Sequence, residues 1–244
     1  MQQFFVEKSS INGNKIILEE NDINHVVNVL RMKIGEKIRV SDSDNVSYFC
    51  HLVEISKENV VAEIDEIDEV GTELNNEIYL FQGLPKGDKM ELVIQKAVEL
   101  GVTKVIPTSM KNCVVKLDDK KAKNKQKRWR TIAESAAKQS KRTIIPEVTM
   151  PIKYKEAMEF ARDLDVVLLP YENQRGMEAT RKIIGNIKKG QRIGIFVGPE
   201  GGFAEDEITG LPDNVSLISL GRRILRTETA GLATLAMLVF CLDD

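Results

Sequence analysis

The segment from Ala230 to Leu242 reads AGLATLAMLVFCL and carries one polar side chain, Thr234. A helix that is apolar on every side has to be buried on every side. Thirteen residues give a helix of about 20 Å, short of the ~30 Å hydrocarbon core of a bilayer. The helix therefore needs cover from protein, and both the domain core and a subunit partner are expected to supply it. No run of about 18 or more apolar residues occurs elsewhere, so no membrane span is expected.

The rest of the chain shows what that core consists of. Residues 1 to 72 hold short β-type runs, among them Lys15-Ile16-Ile17-Leu18, Lys37-Ile38-Arg39-Val40 and Val60-Val61-Ala62. Turn signals at Asn12-Gly13-Asn14, Gly35 and Asp42-Ser43-Asp44 separate them. A small β-rich unit with one helix over Asn24 to Arg31 is predicted, and the acidic stretch from Glu63 to Glu77 is taken as its boundary. From residue 73 to 244 strands and helices alternate instead. Ile78 to Phe81 reads as a strand. Asp88 and Glu91 resemble a capping box opening a helix with apolar positions 90, 93, 94, 97 and 98, stopped by Gly101. Val105-Ile106 and Val114-Val115 are short strand candidates, and Trp129, Ile132, Ala133, Ala136, Ala137 and Ser140 repeat at helical spacing. Strands over Val166 to Leu169, Ile193 to Val197 and Val215 to Leu220 complete an α/β domain with a mainly parallel sheet.

Charge is segregated more than the net value of -2 suggests. Lys116 to Arg142 holds eleven Lys or Arg against three acids, a local charge of +8, much of it on the Trp129 helix. Residues 1 to 72 carry seven basic and fourteen acidic side chains. Segregation of this kind marks a polyanionic partner, and a solvated lysine-rich face is the alternative. Cys50, Cys113 and Cys241 form no C-x-x-C pair and are expected to be reduced core thiols. With two histidines, His25 and His51, there is little material for a metal site, and none is expected. Cys50 and His51 are strand neighbours pointing to opposite faces, so they cannot act as nucleophile and base. MQQFFVEKSS lacks the pattern of a secretory leader, which makes the cytoplasm the expected compartment.

The strand Ile193 to Val197 runs into GPEGGF, residues 198 to 203, and then AEDEI, which resembles a helix start. Ligands of open α/β sheets bind beyond the carboxyl ends of the strands. Three strand ends offer loops there: GPEGGF, Leu169-Pro170-Tyr171 and Gly221-Arg222-Arg223. GPEGGF matches neither the Walker A nor the dinucleotide glycine pattern. An uncompensated Glu200 would repel a phosphate, which favours a phosphate-free adenosyl cation such as S-adenosylmethionine. Taken alone, the six residues fit a plain structural turn about as well.

GPEGGF together with SLGRRILRTETA, residues 219 to 230, resembles the SPOUT class of methyltransferases, and more narrowly the RsmE-type enzymes that methylate uracil N3 in small-subunit ribosomal RNA. The likeness extends through HVVNVLRMKIGEKIRVSD at 25 to 42, LPKGDKMELVIQKAVELGV at 84 to 102, KQSKR at 138 to 142 and IPEV at 145 to 148. It implies a C-terminal SPOUT domain with a deep trefoil knot, a PUA-like β-barrel at the N-terminus that helps hold RNA, and a homodimer formed through the knotted region. It further implies that S-adenosylmethionine is wrapped by Leu169, Pro170 and Tyr171, by Gly198, Glu200, Gly201 and Gly202, and by Leu220, Gly221, Ile224, Leu225, Arg226, Thr229 and Ala230.

The chemistry suggests roles. Deprotonated uracil N3 spreads negative charge over the ring oxygens, and a permanently protonated guanidinium, Arg226, suits its stabilisation. Glu228 or solvent takes the proton; alternatively Arg226 and Glu228 simply cap the last helix and pair with each other. A target base must be unpaired or flipped out. Arg31, Lys86, Arg130 and Arg142 are candidate phosphate contacts to 16S rRNA, and Gln139 a candidate base reader. A non-catalytic RNA-binding or ribosome-assembly protein of the same fold is the competing reading.

Overall fold

The structure, a computed structural model, describes residues 1–42 and 44–243. Ser43, in the expected Asp42-Ser43-Asp44 turn, lies outside the described residues. The chain divides into two compact units, one of Met1–Glu73 with Ala137–Ile145, the other of Leu74–Ala136 with Pro146–Asp244.

The first unit contains β1 (Gln2–Phe5), β2 (Ile11–Asn12), β3 (Lys15–Ile17), α1 (Glu20–Asn24), β4 (Lys37–Ser41), β5 (Ser47–Ile55) and β6 (Val60–Asp68). Its sheet runs β1-β4-β5-β6-β3-β2, with β1 parallel to β4 and the other pairs antiparallel. Alternation along the strands sends Phe4, Ile16, Ile38, Val40, Cys50, Leu52 and Ala62 into one core. Burial and the charge of Asp65 push the Cys50 thiol up to about 12, so it is an inert core group. His51 Nδ1 stands 2.7 Å from Asp65 Oδ1. The helix expected over Asn24 to Arg31 begins four residues earlier, at Glu20, and widens into a π-turn, His25–Leu30. Arg31 ends it in the left-handed region, at φ 54°.

Residues 137–145 join this unit through a largely enclosed carboxylate, its side chain 11% exposed. Glu73 takes a bidentate ion pair from Arg142 and a hydrogen bond from the Thr143 amide at 2.9 Å. Thr72 Oγ1 donates to Lys141 O at 2.8 Å, and Lys138 reaches Asp22 at 3.1 Å. Arg142 is 3% exposed. This corrects the expectation for that residue: a guanidinium enclosed against Glu73 has no face left for a phosphate.

The second unit contains β7 (Glu77–Gly83), α2 (Lys89–Glu99), β8 (Lys104–Ser109), α3 (Asp119–Ser140, whose last four residues belong to the first unit), β9 (Glu147–Val148), β10 (Ile152–Lys153), α4 (Tyr154–Ala161), β11 (Val166–Pro170), α5 (Glu178–Gly185), β12 (Arg192–Val197), β13 (Val215–Ile218) and α6 (Thr227–Leu242). Its sheet runs β10-β8-β7-β12-β11-β13, with β9 on β8, and every pair is parallel. Parallel strands covered on both faces read as continuous apolar runs, as Ile193, Ile195, Phe196 and Val197 do here. Met90, Val93, Ile94, Ala97 and Val98 of α2 are all buried, at the expected spacing. The expected capping box is absent: Asp88 makes no side-chain cap, and Glu91 is drawn instead to Arg128 at 2.7 Å. Val114-Val115 forms no strand, and Val114 is exposed.

The apolar helix α6 packs on α2, β12, β7 and α5. Gly231 lets it approach the sheet closely, since a Cβ there would meet Val197 Cγ2 at 3.3 Å. Its buried residues are Thr227, Gly231, Thr234, Leu235 and Leu238. The opposite face is open: Phe240 is 89% exposed and Cys241 is exposed, against the expectation of a core thiol. The core of this unit thus covers one side of the helix only.

Removing one partner of a buried, hydrogen-bonded ion pair leaves the other charge stranded. Glu73→Ala is expected to cost about 3–5 kcal/mol, measured by urea denaturation. A loss below about 1 kcal/mol would place the Arg142–Glu73 pair in the exposed class.

Candidate functional site

Strands β12, β11 and β13 are neighbours, and their carboxyl ends converge. The loops leaving them, together with the start of α6, enclose a cavity of about 350 Å³. That lies within the range of small-molecule sites, about 300–1,000 Å³. Pro170 and Tyr171 close one side. Gly198, Glu200 and Gly202 form the second, and Leu220, Gly221, Ile224, Leu225, Arg226 and Ala230 the third. Gly221, at φ 108°, and Gly202, at φ 66°, hold backbone conformations that side chains resist.

Three of the residues implied by the resemblance stand apart from the cavity wall. Leu169 is fully buried in β11, one position behind the strand end. Gly201 turns outward, its carbonyl accepting a 3.0 Å bond from Asn112 Nδ2. Thr229 is exposed on α6, away from the lining. Of the candidate RNA contacts, Arg31 and Gln139 are exposed in the first unit, and Lys86 and Arg130 in the second. Arg130 Nε reaches Val148 O at 3.4 Å.

The cavity is held together by a small buried network. Thr227 Oγ1 donates to Gly198 O at 2.6 Å and accepts from Gln82 Nε2 at 2.9 Å. Gln82 is completely buried at the end of β7. One hydroxyl therefore fixes the glycine loop, the start of α6 and the sheet to one another. Ser219 is locked similarly, exchanging hydrogen bonds with Thr180 Oγ1, each 3.0 Å. Downstream of the glycine loop the expected helix over AEDEI shrinks to a 3-10 turn, Glu205–Glu207. The buried Glu207 carboxylate accepts from the Ala204 amide at 2.9 Å and from the Lys111 amide at 2.9 Å.

Glu200 is not a lone charge. Its Oε1 accepts from Lys89 Nζ at 3.0 Å and from the Lys86 amide at 3.0 Å. Desolvation pulls its pKa up, but these bonds outweigh it and hold the carboxyl below its ordinary value. The bond to Glu200 raises the pKa of the Lys89 ammonium in turn; desolvation opposes this, and the charge of nearby Glu228 adds to the rise. The case against a phosphorylated ligand, which assumed an uncompensated Glu200, therefore fails on this geometry. Glu228 Oε2 lies 3.3 Å from Lys89 Nζ. Among the described residues no ion pair joins Glu228 to Arg226, so the pairing alternative does not hold. The Arg226 backbone caps α6, its carbonyl accepting from Thr229 and Ala230, while its exposed side chain lines the cavity.

Sequence reasoning passed over Lys89, Thr227 and Gln82. Lys89 looked like an ordinary surface residue at a helix start, and Thr227 and Gln82 act through bonds to residues 29 and 145 positions away. Arg175, Arg222 and Arg223 also line the cavity. With Arg226 they give the cavity four guanidinium groups against the carboxylates of Glu172 and Glu200, an excess of positive charge that suits an anion.

The sequence of the sheet unit and of the β unit belongs to an RNA-modifying class of protein. The family described as RNA methyltransferase domain matches residues 72–239, and that described as RNA methyltransferase PUA domain matches residues 18–65. The chain belongs to this RNA methyltransferase family. The ribosomal RNA small subunit methyltransferase E of Bacillus subtilis is 37% identical over 98% of this chain and 96% of its own length. A crystal structure of a ribosomal RNA small subunit methyltransferase E from Neisseria gonorrhoeae, bound to S-adenosyl methionine, is 32% identical. It has a TM-score of 0.85, covering 99% of this chain and 98% of its own. The putative methyltransferase Lpg2936 from Legionella pneumophila, also with bound S-adenosylmethionine, is 30% identical with a TM-score of 0.82 over 98% and 96%.

Gly83, at the end of β7, sets how closely the glycine loop can approach. A Cβ there would lie 2.7 Å from Pro199 N and 3.0 Å from Gly198 C, both backbone atoms that cannot rotate away. Gly83→Ala is expected to cost about 1–3 kcal/mol by overpacking. Gly185→Ala, where a Cβ meets nothing within 4 Å, is expected to be neutral or slightly stabilising. Thermal denaturation of the two variants side by side distinguishes a specific close approach from a general intolerance of glycine replacement.

Proposed function

We propose that the protein methylates a uridine at ring nitrogen 3 in small-subunit ribosomal RNA, using S-adenosylmethionine held in the cavity between the ends of β11, β12 and β13. The observation that carries the reading is the convergence of those three loops, in a member of the RNA methyltransferase family, on one cavity with Arg226 at its lip. The residues fit the donor. Gly198, Gly202 and Gly221, which have only backbone to present, line the cavity beside Val197, Leu220, Leu225 and Ala230. Polar peptide edges next to an apolar wall suit an adenine and a ribose.

When bound, S-adenosylmethionine supplies an electrophilic methyl carbon on a positively charged sulfur and leaves as a neutral thioether. The chain's own part is to place and polarise the acceptor. Holding acceptor nitrogen and methyl carbon in line contributes on the order of 7 kcal/mol in well-oriented systems. Arg226 donates to the uracil ring oxygens as negative charge develops there. The N3 proton goes to solvent: Glu228 faces Lys89 and is outside the cavity lining.

RNA reaches the site across basic surface. Arg175, Arg222 and Arg223 stand at the lip, and exposed Lys86, Lys120, Lys121, Lys127 and Arg130 lie in the same unit. Arg31 and Gln139 offer contacts from the PUA-type unit. Two copies of the chain pair through the uncovered face of α6, where Phe240 is exposed, and the C-terminal thread is knotted as in SPOUT enzymes. The protein works in the cytoplasm, where its substrate is assembled.

Incubating the purified protein with ribosomal RNA, alone or in small subunits, and a labelled methyl donor is expected to yield labelled 3-methyluridine on nucleoside analysis. Arg226→Ala is expected to lower the rate by about 10²–10³-fold, the effect of losing one preorganised oxyanion donor, with the melting temperature unchanged. Label in another nucleoside overturns the assignment of the acceptor atom, and full activity of the variant overturns the role of Arg226.

A further inference from the structure

One cation in the cavity wall has two carboxylates. Lys89, at the start of α2, places Nζ 3.0 Å from Glu200 Oε1 on the glycine loop and 3.3 Å from Glu228 Oε2 on the first turn of α6. The three side chains are 30%, 27% and 16% exposed, so water screens them only in part. Lys89 and Glu200 both line the cavity. One positive and two negative charges leave the trio with a single net negative charge.

We infer that Lys89 is a positioning residue that ties Glu200, on the cavity wall, to Glu228 beside it, and cuts the negative charge these two carboxylates bring to bear on a sulfonium from two to one. The inference rests on the methyl-donor reading above and adds to it a basis for telling substrate from product. The two differ by one methyl group and one positive charge on sulfur. A cavity of about 350 Å³ is roughly 7–10 Å across, within a Debye length at physiological salt, so the trio acts on sulfur anywhere inside it. The arginines of the lip are exposed and more fully screened by water, and because no Lys89 or Glu200 variant alters them they contribute equally to parent and variant ratios. A neutral trio would add nothing to the discrimination. A trio of charge -2 would favour the sulfonium more strongly and strain the two carboxylates against each other.

Isothermal titration calorimetry with S-adenosylmethionine and with S-adenosylhomocysteine, on the full chain, tests this through the ratio of the two dissociation constants. Lys89→Met removes the cation and is expected to shift the ratio toward the sulfonium by at least about threefold at low salt. The shift should shrink at ~0.5 M salt. Lys89→Arg restores the charge and the parent ratio. Glu200→Gln keeps an acceptor for the Lys86 amide, removes one negative charge and is expected to shift the ratio the other way. If Lys89→Met does not fold, the Glu200→Gln arm decides alone. Equal loss of affinity for both ligands, or a ratio that neither variant moves, overturns the inference and assigns Lys89 a purely structural role. A parent protein that binds neither ligand overturns the methyl-donor reading itself.

Discussion

The hydroxyl of Thr227 is the point at which the second unit becomes a site rather than a sheet with loops. It bonds Gly198 O and Gln82 Nε2 at once, in a position 7% exposed. A buried bond of this sort contributes about 1 kcal/mol net, but leaving its partners unpaired costs more. The glycine loop, the head of α6 and the end of β7 are therefore held in one arrangement. Arg226 precedes Thr227 and Glu228 follows it, so the orientation of both depends on that anchor. Gly83 serves the same assembly by subtraction, since any side chain there would push the loop off the sheet, and Gly231 lets α6 sit in close contact with Val197 and Leu80.

Charge in this cavity is arranged in two layers. On the inner wall, Lys89 answers Glu200 and reaches Glu228 outside the lining, and the Lys86 amide adds a further donor to Glu200. At the lip, Arg175, Arg222, Arg223 and Arg226 line the opening. The inner layer suits a ligand of little net charge and a cationic centre; the outer layer suits a polyanion. On the proposed function, both bind at adjacent positions of this one cavity.

Much of this was legible in the sequence because it is local. Strand ends followed by glycine, the apolar spacing of α2, and the Trp129-Ala133-Ala136-Ala137 stripe of α3 all follow from patterns a few residues long, and the structure buries those positions. The loops at residues 170, 198 and 221 were legible as a group because parallel strands put their carboxyl ends on one side. Long-range pairing was not legible. Nothing near Arg142 in the sequence announces Glu73, and the lysine-rich context made it look like a phosphate contact rather than half of a buried ion pair. Glu200 was misjudged for the same reason, because Lys89 lies 111 positions away. The helix α6 was half legible: its composition required burial, but composition does not say which face the domain covers and which is left bare, as at Phe240.

The central claim is that three separate loops share one small ligand. Amide hydrogen exchange with and without S-adenosylmethionine addresses it directly, since only groups ordered by the ligand gain protection. The account predicts slowed exchange in three stretches together, residues 171–175, 198–203 and 219–226, with the strands behind them unchanged. Protection confined to one stretch, or absent from all three while the ligand still binds, would contradict it.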